Sequence, residues 1–374
     1  MTTNRRVTLF DIANALGIST GTVHRALHDH PEVNPMTRTR VLQMSKNMGY
    51  RPNMAARLLS QKKQFSVSVN TLQGTTSFWD EVRTGIEEEA QALDMHRADI
   101  QFRTFPRLGE GEEEAFEAAL AAESDGIILF PSRPHSLRTW IRRASRSKIP
   151  VVCVSTDAPE TSRLAAVSVD TMASGSLAAD LMGRFLNRTG KVAVTLSALG
   201  ITEHAEKLTA FERTLKSLHP EVTLLEPIED HDVEAEAYDK CRSLLASHPD
   251  LAGIYVTTEA SMPVVQAAKD AQALDRLTII ATDLFPALIE QIRGGKIAAT
   301  IYQRPHTQGR LAFRVLQEFL AYGSCPTFRV TLAPHLILLG NLDFFLEKQA
   351  SSRKNTRRAS ANEINPNFNY HSYD

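Results

Sequence analysis

Between residues 65 and 322 short apolar runs and amphipathic runs take turns without a break, and this alternation limits the fold more than any other feature. Strands are expected at Phe65–Asn70, Asp99–Phe105, 125–130, 150–155, Leu164–Val169, 191–196, Val222–Pro227, 252–257, 277–283 and Ala298–Tyr302. Helices are expected between them at Phe78–Leu93, Glu112–Ala122, Leu137–Ser145, Thr171–Leu186, His204–Leu218, Ala235–Ser247, Pro263–Asp270, Pro286–Arg293 and Thr307–Tyr322. A β/α alternation of this kind gives parallel sheets covered by helices. The strands are too many for one comfortable sheet, so two are expected. In open sheets of this type ligands sit beyond the carboxyl ends of the strands, and the residues just after each strand are the ones to inspect.

The first sixty residues follow a different rule. Thr8 can cap a helix, with Asp11 three residues on as its capping-box partner. Leu9, Ile12, Ala13 and Leu16 then share one face, and Gly17 stops the run. Ser19 caps a second helix through Thr22, Val23 and Ala26–Leu27. Two short helices around a Gly-containing turn make a helix-turn-helix candidate. Asn34 and Pro35 begin a third helix as N-cap and first residue, carrying Val41, Met44 and Met48 inward as far as Gly49. Pro52–Asn53 introduces a fourth, Met54–Ser60, too short to be stable alone in water.

Charge follows the same division. Residues 1–63 hold ten Lys/Arg against three Asp/Glu, and residues 64–349 hold 28 against 38. A basic head on an acidic body points to a polyanionic partner for the head alone. No apolar run is long enough to span a bilayer, so no membrane partner is expected. The amphipathic residues after Arg5 and Arg6 are not the apolar core of a signal peptide. Cys153, Cys241 and Cys325 are widely spaced and suit buried thiols in a reducing cytoplasm. His24, His28 and His30 lie close together, but no cysteine pair or carboxylate stands at ligand spacing, so neither a metal nor another cofactor is expected. The sequence has no GxxxxGK[ST], GxGxxG or HExxH, and an enzyme is not expected. Acidic pairs such as Glu112–Glu114 read as solvated helix faces. Residues 350–374, rich in Ser, Asn, Arg and Lys, read as a disordered tail.

VTLFDIANALGIS, TV-x-RAL, TR-x-RVL and GYRPN-x-x-A-R-x-L stand together in residues 7–62. The segment resembles the DNA-binding headpiece of the lactose/galactose repressor (LacI) family. The resemblance implies that the second helix enters the major groove of a double-stranded operator, with Thr20, Gly21 and Arg25 at the base-reading positions. Arg25 has two readings, a bidentate guanine contact or a phosphate contact. Gly21 brings no side chain to its position, and His24 stands where the family usually has Ser. Thr8, Ser19, Thr22, Asn34 and Tyr50 fall at phosphate-contact positions. Asn53 and Arg57 belong to the matching hinge segment, which the resemblance implies folds on operator beside its twin. Leu59 matches the family's minor-groove wedge; the other reading is packing between two hinge helices.

FWDEV-x-x-GIEEEA, DGIIL-x-P, IPVV and TDL-x-P…GKIAATI-x-Q-x-P-x-x-QG carry a second resemblance. Residues 65–345 are similar to the ribose-binding-protein type of periplasmic sugar-binding fold, which the repressor family uses as its sensor. The implied organisation is a headpiece and hinge at 1–62, a two-lobed ligand-binding and dimerisation domain at 63–349, and the tail. Lobe one would span about 65–170 plus 304–334, and lobe two about 171–303 plus 335–349. Asp283 and Gln303 match the family's ligand hydrogen-bonding positions. Phe78 and Trp79 stand where sugar-binding relatives stack rings on a sugar, and an aromatic pair there reads equally well as core. Ser132, Asp157, His204, Lys207 and Glu259 are weaker candidates in other post-strand positions, and relatives often carry Asn where Thr258 stands.

The chain therefore reads as a cytoplasmic transcription factor, a repressor that binds a palindromic operator as a homodimer and answers to a small polar effector, a sugar or sugar derivative. A solute-binding transport protein and an α/β enzyme with a fused DNA-binding head are the rival readings. The first needs a signal peptide and the second a catalytic constellation.

Overall fold

The computed structural model describes residues 7–27, 33–48, 65–73, 77–92, 98–323, 325 and 328–347. The chain divides into two compact units, Met1–Lys63 and Gln64–Asp374.

Among the described residues the first unit has three helices: α1 (Leu9–Leu16), α2 (Thr20–Leu27) and α3 (Pro35–Asn47). Each starts where a side chain satisfies free amides. Thr8 and Asp11 form a reciprocal capping box, with the Thr8 amide donating to Asp11 at 2.8 Å. Ser19 Oγ accepts from the Thr22 amide at 3.1 Å. Asn34 Oδ1 accepts from the Met36 amide at 2.9 Å, and Pro35 occupies the first turn of α3, where no amide is needed. Ile12, Ala13, Val23, Ala26 and Val41 form a small buried core. Tyr50, Asn53, Arg57, Leu59 and the tail at 350–374 lie outside the described residues.

In the second unit the expected two sheets are present. The first has the strand order β12-β5-β4-β3-β1-β2, all neighbours parallel, with β1 (Phe65–Leu72), β2 (Ala98–Phe105), β3 (Gly126–Leu129), β4 (Val151–Val154), β5 (Ala165–Val169) and β12 (Arg329–Leu332). One face is covered by α4 (Ser77–Ala92) and α12 (Pro305–Tyr322), the other by α5 (Glu112–Ala121) and α6 (Pro134–Arg146). The second sheet has the order β13-β11-β10-β9-β6-β7, with β6 (Gly190–Leu196), β7 (Val222–Leu224), β9 (Leu251–Val256), β10 (Thr278–Thr282), β11 (Ala299–Tyr302) and β13 (His335–Ile337); the short β8 (Ile228–Glu229) pairs with β6. The helices α7 (Thr171–Phe185) and α8 (Thr202–Leu218) cover one face, and α9 (Glu234–Ser247), α10 (Ser261–Asp270) and α11 (Pro286–Arg293) the other.

The chain passes between the sheets after β5, after β11 and between β12 and β13. Neither lobe is a continuous stretch. The expected strand Val222–Pro227 is shorter, ending at Leu224 ahead of Pro227, which has no amide to give the ladder, and the separate β8 follows at Ile228–Glu229. The strands β12 and β13, four and three residues long, gave no readable run in the sequence. Their pattern is half-exposed, as befits edges, with β13 antiparallel to β11. Glu112 is a correction to the expected solvated face. It is 2% exposed and accepts from the Ser132 amide at 2.7 Å and the Ser132 hydroxyl at 2.8 Å.

The helices α4 and α12 cross in direct backbone contact. A Cβ on Gly85 would overlap the His306 carbonyl, and one on Gly309 would overlap the Val82 carbonyl. Rigid helix backbones stand on both sides, so an added methyl has nowhere to go. Gly309→Ala is expected to destabilise the second unit by about 1–3 kcal/mol, as overpacking does. Chemical unfolding monitored by tryptophan fluorescence would measure this; an unchanged midpoint would show that the two helices separate freely.

Candidate functional site

The two sheets have matching switch points. In the first, the chain goes from β1 outward to β2 and returns to β3 on the other side; in the second, it goes from β6 to β7 and β8 and returns to β9. Ligands in open α/β sheets collect at the carboxyl ends of strands at such points. Here the carboxyl ends of the two sheets meet. Glu259, just after β9, accepts from Ser77 Oγ at 2.8 Å and from the Phe78 amide at 3.0 Å, so a lobe-two carboxylate rests on the N-terminus of a lobe-one helix. Glu203 at the start of α8 accepts from Ser155 Oγ at 3.3 Å, and its own amide donates to Thr156 Oγ1 at 3.2 Å. The Tyr302 hydroxyl donates to Glu81 at 2.6 Å.

Inside this junction lies Lys207, fully buried. Its Nζ is 2.5 Å from Glu203 Oε1, 2.7 Å from Gln303 Oε1 and 3.4 Å from the Thr257 carbonyl. Gln303 in turn donates its amide and its Nε2 to the two oxygens of Asp283, at 2.9 and 2.7 Å. A lone buried ammonium would lose its proton to desolvation. The Glu203 carboxylate opposes that, and the Lys207 amine is held above its ordinary value. Burial, with Glu259 adding like charge, pushes the Asp283 carboxyl up to about 8. Burial also pushes His204 down to about 4, leaving a neutral ring whose Nδ1 accepts from the Ala198 amide at 3.4 Å. Asp230, on the loop after β8 and fully buried, is pushed up to about 7 by desolvation and by its neighbour Asp232.

Backbone positions these groups as firmly as side-chain packing does. A Cβ on Gly175 of α7 would overlap the carbonyl of Lys207 itself, so α8 sits directly on α7. Ser155, Asp283 and Arg304 all adopt left-handed backbone, at φ 72°, 66° and 61°, immediately after or within two residues of a strand end. Non-glycine residues in this region carry strain that tends to collect where function requires it. Buried Asn70 Nδ2, Thr71 Oγ1 and Thr257 Oγ1, all at strand carboxyl ends, have no hydrogen-bond partner among the described residues.

The expected ligand residues thus fall into two groups. His204, Lys207, Glu259, Asp283 and Gln303 come together at the junction. Ser132 and Asp157 sit nearby in sequence order along lobe one but are engaged within it: Ser132 with Glu112, Asp157 with both Nε and Nη2 of Arg163. Phe78 and Trp79 are 8% and 5% exposed and belong to the lobe-one core, Trp79 lying 4.6 Å from the Phe130 ring. Glu203, Ser155, Thr156, Ser77 and Glu81 were not expected. The i, i+4 spacing of Glu203 and Lys207 on a helix face was the available signal for the first of them. A groove of about 540 Å³ between α8 and β7 is lined by Leu208, Leu215, Val222, Leu224 and Pro227 and contains none of the junction residues.

In the first unit the surface of α2 is divided cleanly. Val23 and Ala26 are buried, while Ser19, Thr20, Gly21, His24 and Arg25 are exposed and Thr22 is half-exposed. Thr8, Ser19 and Asn34, also exposed, spend one side-chain oxygen each on the caps described above.

Residues 66–324 match the periplasmic binding protein domain family, and residues 8–53 match the bacterial regulatory proteins of the lacI family. Catabolite control protein A of Priestia megaterium is 27% identical over 269 residues, which cover 71% of this chain and 78% of that protein. The HTH-type transcriptional regulator AglR of Rhizobium meliloti (strain 1021) is 38% identical over 143 residues, or 37% of this chain and 39% of that one. Among solved structures, GanP, a glucose-galactose binding protein from Geobacillus stearothermophilus, superposes with a TM-score of 0.69 at 23% identity, over 74% of this chain and 98% of that one. At that identity the likeness concerns the fold.

The titrations at the junction set a pH dependence. Asp283 and Asp230 have folded-state values raised above their ordinary 3.8, so the folded chain holds protons that the unfolded chain has released. Their contribution is fully present below pH 3.8 and is lost as pH rises through about 7 and 8. His204 acts oppositely, since its value is lowered from 6.5: its contribution is present above 6.5 and is lost as pH falls towards 4. Between pH 6.5 and 8 the two aspartates dominate, and stability is expected to fall with rising pH by up to about 1.4 kcal/mol per unit for each group. Asp283→Asn should flatten that slope in urea-unfolding curves taken across the window. A slope unchanged by the substitution would mean that Asp283 is already ionised in the folded chain.

Proposed function

From a chain that belongs to the lacI family of bacterial regulatory proteins and carries a periplasmic binding protein domain, we infer a cytoplasmic repressor whose affinity for its operator is set by a small polar effector. The observation that carries this reading is the presence of both halves in one chain: an exposed face on α2 backed by its own small core, and a polar junction between two lobes. The head takes double-stranded DNA by placing α2 in the major groove, with Arg25 and Thr20 at base edges, His24 beside them, and Thr8, Ser19, Thr22 and Asn34 on phosphates. An operator read this way by a homodimer is palindromic, its half-sites set by the two-fold axis.

The effector binds where Lys207, Asp283 and Gln303 converge, a set that offers an ammonium donor, a carboxyl and an amide that both gives and accepts. Hydroxyl-rich molecules such as sugars suit this mixture. The competing reading, a solute-binding transport protein, takes support from the fold of GanP but leaves the head without a role. Effector binding competes with the internal bonds of Asp283 and Gln303, and the contacts of Glu259, Glu203 and Tyr302 across the junction are the ones that a change in lobe spacing would make or break. Coupling of this kind is worth about 1–3 kcal/mol, or a 5–150-fold change in operator affinity.

Screening sugars and sugar phosphates by thermal shift, followed by operator titrations with and without each hit, tests the reading. No shift with any polar ligand, together with an operator affinity that never changes, would sink it. Arg25→Ala is expected to cost about 1–3 kcal/mol and to relax preference at one base pair per half-site. A uniform loss over all sequences would assign Arg25 to phosphate. Asp283→Ala is expected to remove the effector response while the head still folds; a variant that responds with parental sensitivity would move the site away from Asp283.

A further inference from the structure

Lobe one of the acidic body carries a cationic face among the described residues. Residues 126–156 contain Arg133, Arg138, Arg142, Arg143, Arg146 and Lys148 and no Asp or Glu, the longest stretch without a carboxylate beyond residue 79. They fold as β3, α6 and β4 of lobe one. Arg142, Arg143, Arg146 and Lys148 are all exposed, and among the described residues none of the four has a carboxylate within ion-pair distance. Three acids on neighbouring elements have partners of their own: Glu160 pairs with Arg138 at 3.0 Å, Glu113 accepts from the Trp140 indole at 3.1 Å, and Asp125 accepts from the Ser66 amide at 3.0 Å. Arg143 lies over the Trp140 ring at 4.5 Å, which fixes its guanidinium at the surface.

The place of this face matters as much as its charge. Helices in a parallel β/α lobe run opposite to the strands, so the C-terminal end of α6 lies at the rim where strands enter the sheet. The hydrogen bonds show this directly: Ile127 donates to the Pro150 carbonyl at 2.9 Å and Asp125 to the Ser66 carbonyl at 2.7 Å. The entry of β4 is therefore two strands from the entry of β1, about 10 Å at ordinary strand spacing. At Phe65, the start of β1, the chain arrives from the DNA-reading unit. The rim turns acidic beyond β3, at Glu123 and Asp99, so the cationic part is confined to its β4 side. The helix dipole accounts for Arg143 and Arg146 in the last turn of α6, but not for Arg142 or Lys148.

We propose that Arg142, Arg143, Arg146 and Lys148 form a second phosphate-binding surface, on lobe one, that engages the DNA backbone beside the operator. This rests on the reading of the chain as an operator-binding regulator. The head supplies sequence recognition, and the lobe-one face supplies additional affinity that is independent of sequence, sensitive to salt and available only on DNA that extends past the operator. Arginine and lysine at an open rim suit a linear array of phosphates, which they meet as separate contacts.

The test uses the full chain and two duplexes, one trimmed to the operator and one with long flanks. The variant is Arg142→Gln/Arg146→Gln/Lys148→Gln, which leaves the Arg143–Trp140 contact in place and whose fold is checked by its unfolding midpoint. Each phosphate contact contributes about 0.9 to the slope of log affinity against log salt. On the long duplex the parent chain should lose about 10–40-fold more affinity than the variant between 50 and 200 mM salt, corresponding to two or three contacts. On the trimmed duplex the two proteins should behave alike. Equal slopes on the long duplex overturn the proposal, as they would if the face served an acidic protein instead. Equal losses on both duplexes also overturn it, because the substitutions would then act through the fold. Failure of the underlying reading is separately visible, since the parent chain would then bind neither duplex with operator preference.

Discussion

A protonated amine with no access to water holds the centre of the second unit. Lys207 is satisfied only because Glu203, Gln303 and the Thr257 carbonyl reach it from a helix start and two strand ends, and Gln303 is satisfied in turn by Asp283. Removing one partner of a buried ion pair typically costs about 3–5 kcal/mol, so these residues specify one another's positions. The arrangement explains why α8 must lie directly on α7 at Gly175: a displaced helix would carry the ammonium out of reach of all its partners. It also couples the lobes, because the same Glu203 that holds Lys207 accepts a bond from Ser155 of lobe one.

The junction is closed by polar contacts of modest strength rather than by an apolar seam. Glu259 on the α4 N-terminus gains from two aligned donors and from the helix dipole. Net contributions of such bonds are about 1–3 kcal/mol when a charge is involved, because water competes for every partner. An interface held this way can be reset by a small molecule, whose own hydroxyls offer the same kind of bond. The hydrophobic cores, in contrast, lie within each lobe and are complete without the other.

Much of this was legible in the residues. Period and punctuation located the three described helices of the head, down to the Thr8–Asp11 box, and the alternation of apolar and amphipathic runs announced two parallel sheets. Inspecting the residues after strands, together with the family resemblance, singled out Lys207, Asp283 and Gln303, and the fold brings these three side chains into one hydrogen-bonded chain. The cross-lobe partners were not legible. Ser77, Ser155 and Thr156 are ordinary polar residues whose importance comes from meeting a residue far away in the chain. The left-handed backbone at Asp283 and Ser155 leaves no mark in a sequence without glycine there. Glu112 misled because a run of three glutamates reads as solvent-facing, while the Ser132 that buries the first of them lies twenty residues on.

The interleaving of the two lobes has a consequence for how the chain is made. The first sheet is not complete when residue 169 has left the ribosome: its covering helix α12 and its edge strand β12 arrive only after the whole of the second sheet through β11 has been synthesised. Until then Val69, Ile128 and Val152 lack Ala312, Phe313 and Leu316 above them, and β5 presents an open edge. At roughly 5–20 residues per second the interval lasts about ten seconds or more. The head, whose core is assembled entirely from nearby residues, faces no such wait. Nascent chains of this protein can therefore complete the small core of the head well before the first sheet is covered, and that sheet keeps an open face and edge in the meantime.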